Sequence, residues 1–276
     1  MAPAVAVQRI VVALDPSGHG IAAIEQAMAI ASRLQATVRA VFVEDVDLLR
    51  IASHPAARHV SFSGASVHID ATGGEALVRA QAREIRAVLA RLTEEYGLTP
   101  ELTVVRGRVV DQVIAAAAQA DLLLIGWSSV PRHLRDRPGS TARSIAATSR
   151  APVLVLKRGT RILDGPVAVV FDGSAGSDRA LALASALDGL RPIVVLATGA
   201  ESDTDIARLT ERARAATPDA TFVVEPVRRA TPVAVAAAAA RRRCALVTIA
   251  ADARLFEDGG CAAALDVFDC PVLIAR

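Results

Sequence analysis

The sequence predicts an α/β protein with two doubly wound parallel sheets of five strands each. Three observations lead to this prediction. Short apolar runs alternate with segments of helical apolar spacing, the whole alternation occurs twice in 276 residues, and both series open and close alike. Strands that are apolar throughout and separated by helices belong to parallel sheets covered on both faces. Right-handed crossovers wind such sheets doubly, and their ligands bind beyond the carboxyl ends of the strands.

The first series opens with the apolar run IVVALD, which is followed by a Ser/Gly turn and an amphipathic helix. Its spacing predicts strands over 9–15, 37–44, 101–106, 121–127 and 152–157. It predicts helices over 21–34, 75–96, 110–119 and 140–149. The segment 46–73 is too long for a plain connection, so we expect a lid or a partner-binding element there.

The second series opens in the same way, with VAVVFD and an amphipathic helix. Here the spacing predicts strands over 166–172, 192–198, 221–226, 245–250 and 271–275. The predicted helices are 177–187, 205–215, 232–242 and 260–267. A short polar stretch, RGTRILDG, joins the two series. We therefore predict two domains, 1–158 and 165–276.

Composition narrows the classes of function. A hydrophobic content of 53% with only 3% aromatic residues indicates a core of Ala, Val, Leu and Ile. Basic and acidic residues number 31 and 29, so the chain lacks the basic field that attracts nucleic acid. We find no signal peptide and no run long enough to span a bilayer, and expect no membrane partner. An odd number of cysteines without a CxxC pair indicates reduced thiols and a cytoplasmic location: Cys244, Cys261 and Cys270.

A glycine-containing loop follows the fourth predicted strand. From Gly126 the spacing G-x2-S-x9-G reaches Ser129 and Gly139, and Ser140 and Thr141 follow at once. Glycines let a backbone turn tightly and approach an oxyanion without a Cβ in the way. The two hydroxyl residues open a helix whose free N–H groups and positive dipole end attract an anion. A Gly-Ser pair at a helix start is by itself more often an N-cap, so the phosphate-loop hypothesis depends on its context.

That context is a family resemblance. The loop, Asp15 at the end of the first strand, the two similar openings and the segment GSTARSIAATSRAPVLVLK together resemble the universal stress protein family. Its ATP-binding members have G-x2-G-x9-G-[ST] and an aspartate ending the first strand. The resemblance covers nearly the whole chain, twice. It implies an adenine nucleotide alpha hydrolase-like fold whose halves pack through their last strands as an intramolecular pseudo-dimer, with a homodimer of chains left open.

The same resemblance implies an adenine nucleotide, ATP or AMP, in the first half. Asp15 would lie beside the adenine or ribose, and Phe42 would take the adenine-facing position. The residues implied around the ribose and phosphates are Gly126, Ser129, Gly139, Ser140 and Thr141. Ser129 stands where the family has Gly, and its side chain can either bond phosphate or narrow the loop. One carboxylate is a slender basis for Mg²⁺, which stays open as a companion of the nucleotide.

The second half departs from this pattern. Asp172 ends its first strand, but the segment after VTIAAD has no G-x2-G-x9-G-[ST] spacing. Asp258 would oppose a phosphate near Gly259 and Gly260. We therefore predict a degenerate domain that serves as a scaffold for the first.

Other polar and aromatic residues near the loop have two interpretations each. The loop arginines can clamp a triphosphate or form a solvated charged segment: Arg132, Arg135 and Arg137. Trp127 can stack on a base or pack in the core, and packing is favoured for a lone Trp at a strand end. Histidines of the 46–73 segment are irregularly spaced, which favours solvent-exposed side chains over a metal site: His54, His59 and His68.

The chain has no Walker A sequence, no nucleophile elbow and no paired carboxylates near the predicted site. These features favour a binding module that is at most a slow, incidental ATPase. One rival is a scaffold that binds an unknown protein partner through 46–73 and takes no nucleotide. A second is an enzyme of the related adenine-nucleotide hydrolase type, but ALDPSGHG is a poor match for the glycine loop that such enzymes place after the first strand.

Overall fold

The computed structural model describes residues 6–15, 18–47, 50, 58–60, 66–68, 71–127, 139–157, 159, 161–188, 192–256 and 260–276. The strands of the first half are β1 (Arg9–Leu14), β2 (Thr37–Asp45), β3 (Arg58–Val60), β4 (Ser66–His68), β5 (Glu101–Gly107), β6 (Leu122–Gly126) and β7 (Val153–Leu156). Its helices are α1 (Gly18–Leu34), α2 (Ala71–Tyr96), α3 (Val109–Ala117) and α4 (Ser140–Thr148).

The strands of the second half are β8 (Val167–Phe171), β9 (Ile193–Thr198), β10 (Phe222–Val227), β11 (Leu246–Ala250) and β12 (Val272–Ala275). Its helices are α5 (Ala175–Asp188), α6 (Asp203–Ala216), α7 (Pro232–Arg241) and the single turn α8 (Ala264–Val267). Two 3-10 turns precede α8, over Arg254–Phe256 and Cys261–Ala263.

Ten of these strands form one sheet in the order β10-β9-β8-β11-β12-β7-β6-β1-β2-β5. Within each half all pairings are parallel, and the order is the same when read outward from the middle. The last strands of the halves, β7 and β12, pair antiparallel, with Val155 opposite Val272 and Leu154 opposite Leu273. The predicted fold class is confirmed, and the two five-stranded sheets are joined edge to edge through the expected strands.

The strands form because their side chains are apolar on both faces, and helices cover each face. Every residue of β8, β9 and β11 is buried. One apolar cluster lies on the face covered by α1, α2, α5 and α6, and the other lies beneath α3, α4 and α7. Helix α6 begins with a capping box in which Ser202 accepts the Asp205 N–H at 3.1 Å. The apolar runs of the sequence therefore coincide with buried strands, and the capping residues coincide with the start of a helix.

The segment 46–73 contains more structure than the sequence predicts. Strands β3 and β4 pair antiparallel within it, with His59 opposite Val67 and His68 opposite Arg58. Helix α2 already begins at Ala71, inside the segment. His54 lies outside the described residues. No group of three metal-ligating side chains occurs in the part of the chain that the structure describes.

The end of the second half also differs from the prediction. A single helix over 260–267 was expected, but a 3-10 turn and the short α8 stand there. Gly260 has a φ of 62°, a left-handed conformation in which a helix does not begin. The run before β12 is also shorter than its counterpart before β7. Less length is therefore available for a full helix.

The cysteines are free thiols. Cys244 and Cys261 are buried, and Cys270 is partly buried. Burial raises the pKa of Cys244 to about 12 and that of Cys270 to about 11. Among the described helices, none is long and apolar enough to cross a membrane.

Candidate functional site

A cavity of about 420 Å³ opens at the carboxyl edge of the first half of the sheet. It lies where β1 and β6 are neighbours and the chain reverses its winding direction, since β2 and β5 follow on one side and β7 on the other. Crevices of this kind are the usual ligand sites of doubly wound sheets. The volume is within the range of small-molecule and cofactor sites.

The interior of the cavity is mainly apolar. Strand residues Val41, Val43 and Ile125 line it from the sheet. Two walls complete it, one from α2 with Val78 and Gln81, and one from α3 with Val109 and Val113. Because α2 and α3 lie on opposite faces of the sheet, the cavity is a slot across the sheet edge. A flat, largely apolar ring system fits such a slot.

Five of the seven predicted site residues line this cavity: Asp15, Phe42, Gly126, Gly139 and Thr141. Ser140 is the first residue of α4 and is exposed, and it is not among the cavity-lining residues. Ser129 lies outside the described residues, as do the three loop arginines. The structure therefore brings together the ends of β1, β2 and β6 and the start of α4.

Asp15 is held at the amino end of α1. It follows β1 directly and is partly buried. A Cβ on Gly20 would lie 2.2 Å from the Asp15 carbonyl oxygen and 2.9 Å from its Oδ1. Only glycine permits this close approach, which fixes the carboxylate beside the first turn of the helix. The positive end of the α1 dipole favours a negative charge at this position.

The anion-facing side of the cavity is formed by the start of α4. Gly139 is its N-cap, makes no side-chain capping bond, and has an ordinary extended conformation with φ −61° and ψ 155°. Its N–H donates to the Trp127 carbonyl oxygen at 3.0 Å, so this donor closes the loop. The donors without helical acceptors are those of Ser140, Thr141 and Ala142. The first turn of α4 contains no acidic residue, so among the described residues no carboxylate of this turn neutralises the positive end of the helix.

Trp127 packs in the core, as the sequence favoured, and also lines the cavity. Its side chain is 5% exposed and belongs to the cluster beneath α3 and α4. The Lys157 ammonium lies 4.0 Å from the ring centroid, a cation–π contact. The Trp127 backbone N–H donates to the Leu156 carbonyl oxygen at 2.8 Å.

The sequence analysis missed several cavity-lining residues, among them two on α2 and one at the end of β2. Val78 and Gln81 stand one helical turn apart on α2, so helical spacing alone could have paired them. Asp45 also lines the cavity, which corrects the expectation that no second carboxylate lies near the site. It ends β2, one residue beyond the predicted strand, and accepts the Asp47 N–H at 2.9 Å.

Register identifies the counterparts of these residues in the second half. Leu14 and Phe171 are the last residues of the first strand in each half. Phe42 pairs with Leu14 and Ala197 pairs with Phe171, so Ala197 is the counterpart of Phe42. In the same way Gly126 pairs with Leu156, and Ala250 pairs with Ala275. Small alanines therefore stand where the first half has its aromatic residue and its glycine.

Asp172, the counterpart of Asp15, is bound within its own turn. Its Oδ1 accepts the Ser174 N–H at 2.9 Å. Burial opposes its ionisation, but hydrogen bonds from Ser174 and Ser177 outweigh this effect and lower the pKa of the carboxyl. The Asp172 carboxylate therefore accepts hydrogen bonds from the turn that precedes α5.

A second carboxylate lies beside Ala250. A Cβ on Gly176 would lie 2.0 Å from the Asp252 Oδ1, so α5 packs directly against this side chain. Arg179 pairs with Asp252 at 3.1 Å. An arginine-paired carboxylate therefore stands close to the carboxyl end of β11. The degeneracy of the second half stays a prediction.

The first half thus has the form of a ligand-binding α/β unit, with a cavity at the switch point of a doubly wound sheet and an open helix start on its rim. The model of the universal stress protein family matches residues 6–157. The chain belongs to the universal stress protein family. A search of curated proteins finds no significant match.

Solved structures extend the likeness to both halves. A universal stress protein from Archaeoglobus fulgidus DSM 4304 is 16% identical, with a TM-score of 0.68 and coverage of 97% of this chain and 96% of its own. A putative universal stress protein from Pseudomonas aeruginosa UCBPP-PA14 is 16% identical, with a TM-score of 0.59 and coverage of 98% and 93%. At these identities the likeness shows the fold alone, and it does so over the full tandem length.

Proposed function

We propose that the first half binds an adenine nucleotide, ATP or AMP, and that the protein acts as a cytoplasmic stress-response regulator. One observation carries the proposal: Asp15 and the open start of α4 face the same cavity. A ligand with hydroxyl groups near one end and a negative charge near the other matches this pair of features. A nucleoside phosphate has both, and its base suits the apolar slot between α2 and α3.

The charge of the phosphates sets a further condition. No lysine or arginine is among the described residues that line the cavity, whereas Asp15 and Asp45 both do. The start of α4 supplies only partial positive charge. The proposal therefore includes Mg²⁺ carried in with a polyphosphate, or an arginine from the loop after Trp127, as the remaining counter-charge. AMP, with fewer charges, would depend less on Mg²⁺ than ATP.

We propose binding without efficient turnover. Asp45 uses one carboxylate oxygen to accept the Asp47 N–H, and no histidine is among the described lining residues. A general base for water is thus limited to two carboxylates that also face the ligand's hydroxyl groups. Slow ATP hydrolysis is the most that we expect.

Gly139→Asp tests the site. An aspartate suits the N-cap conformation of residue 139 and should stabilise α4, while its charge occupies the place of the phosphate. We expect ATP affinity to fall by more than about 100-fold, equivalent to about 3 kcal/mol for an interaction with a charged group. Calorimetric titration measures the affinity, and thermal unfolding verifies that the variant folds.

Ser144→Asp is the matched control, because it adds the same charge to an exposed position of the same helix. Its ATP affinity should equal that of the wild type. Unchanged binding by Gly139→Asp would refute the assignment of the phosphate position.

A scaffold without nucleotide is the second candidate. The described pairing of β3 with β4 favours it, since these two strands stand outside the ten-stranded sheet. Mass spectrometry of the gently purified protein separates the two candidates. Co-purified adenine nucleotide supports the first, and a nucleotide-free protein that also fails to bind added ATP or AMP supports the second.

A further inference from the structure

Lys157, at the end of the first half, connects the cavity wall to the second half. Lys157 is the only lysine of the chain, and Trp127 is its only tryptophan. They are neighbours because Gly126 and Leu156, one residue earlier in each strand, are partners in the β6–β7 register. The Lys157 Nζ lies 4.0 Å from the Trp127 ring centroid and donates to the Phe268 carbonyl oxygen at 2.6 Å.

Phe268 belongs to the second half, where it follows α8 and is 2% exposed. Its carbonyl oxygen is therefore attached to a fixed part of the core. An ammonium held between a carbonyl oxygen and an indole face restricts the position of that face. Lys157 thus connects the closing segment of the second half to the cavity wall.

Trp127 in turn fixes the anion-facing side of the cavity. Trp127 is one of the cavity-lining residues, and its carbonyl oxygen accepts the Gly139 N–H at 3.0 Å. A shift of the residue would therefore move the start of α4 and the donors of its first turn. Trp127 therefore couples the position of its indole ring to the positions of the N–H donors in the first turn of α4.

Helix α4 itself also rests on the second half. Arg143 forms an ion pair with Asp266. The Cys261 thiol donates to the Ala146 carbonyl oxygen at 3.5 Å. Both parts of the anion-facing wall, Trp127 and α4, are thus backed by the segment 261–268.

We propose that Lys157 is a positioning residue for the nucleotide site, and that the segment 261–268 is the support against which it holds Trp127. This inference rests on the proposed function of the first half. It gives the second half, for which no nucleotide site of its own is predicted, a specific part in binding.

The test uses the full chain, ATP as the probe, and three variants. Lys157→Met keeps the length and loses the charge, Lys157→Arg keeps a cation, and Arg179→Met removes a cation that pairs with Asp252 in the second half. Calorimetry gives the ATP affinity. Emission from the single tryptophan gives the environment of the cavity wall, and urea unfolding gives the stability.

For Lys157→Met we expect ATP binding to weaken about fivefold, the lower end of typical coupling between two positions, because the released Trp127 holds the start of α4 less firmly. The Trp127 emission should also shift to longer wavelength, because water reaches the uncovered ring. Lys157→Arg should recover most of both changes. Arg179→Met should match the wild type in affinity and emission.

The inference is wrong if Lys157→Met binds ATP as tightly as the wild type and its Trp127 emission is unchanged. The proposed function would then still stand, because the wild type binds ATP. A wild type that binds neither ATP nor AMP would overturn both. If Lys157→Met does not fold, two measurements on Lys157→Arg and the native protein still test the inference. Addition of ATP to the native protein must change the Trp127 emission, and Lys157→Arg must keep near-native affinity.

Discussion

The two halves have the same strand order, yet they differ at the edge where a ligand would bind. In the first half Phe42, Gly126 and the start of α4 surround an open cavity. In the second half Ala197 and Ala250 take the first two places, and Asp252 packs against α5 nearby. The comparison shows that the buried sheet and its covering helices determine the fold. A few residues at the carboxyl ends of the strands determine the shape and charge of the edge where a ligand would bind. The second half keeps the fold without these residues.

The largest expected effect comes from removing one core phenylalanine in each half. The two losses of unfolding free energy test whether packing beside the cavity is less complete than packing in the second half. Phe171 is fully buried in a closed core, so Phe171→Ala should cost about 4 kcal/mol of unfolding free energy. Phe42 is also buried, but it borders the cavity and its removal creates less new enclosed void, so Phe42→Ala should cost about 3 kcal/mol. Urea denaturation measures both, and an equal or larger cost for Phe42→Ala would contradict the open cavity.

A smaller effect concerns Asp172, which follows the first strand of the second half. The pKa of Asp172 is lowered in the folded chain, so its ionised form stabilises the fold above the unfolded pKa of about 3.9. That contribution is lost as pH falls through the folded pKa. Asp172→Asn should therefore be less stable than the wild type at neutral pH, and the difference should shrink steadily below about pH 4. A difference that is constant with pH would show that the carboxylate charge does not stabilise its turn.

Much of this architecture is readable from the sequence. Alternating apolar runs and helices predict the ten main strands, because residues such as those of β8 are buried on both faces. The repeated closing runs predict the β7–β12 junction. Asp15, Gly126 and Gly139 are recognisable because they follow strands or precede a helix at a set spacing, and the fold then brings them together.

What the sequence did not predict depends on contacts between distant segments. Gln81 lies within the helix that the sequence predicts, but only the packing of α2 against the sheet places it at the cavity. Asp45 joins it because β2 extends one residue further than predicted. The role of Lys157 depends on both the β6–β7 register and the position of Phe268 in the other half. No local pattern contains that information.

The number of nucleotides bound per chain tests the asymmetry between the halves most directly. We expect calorimetric titration with ATP, in the presence of Mg²⁺, to give one site per chain, and Gly139→Asp to abolish it. Two sites per chain would contradict the account of the second half. A single site that survives Gly139→Asp would contradict the account of the first.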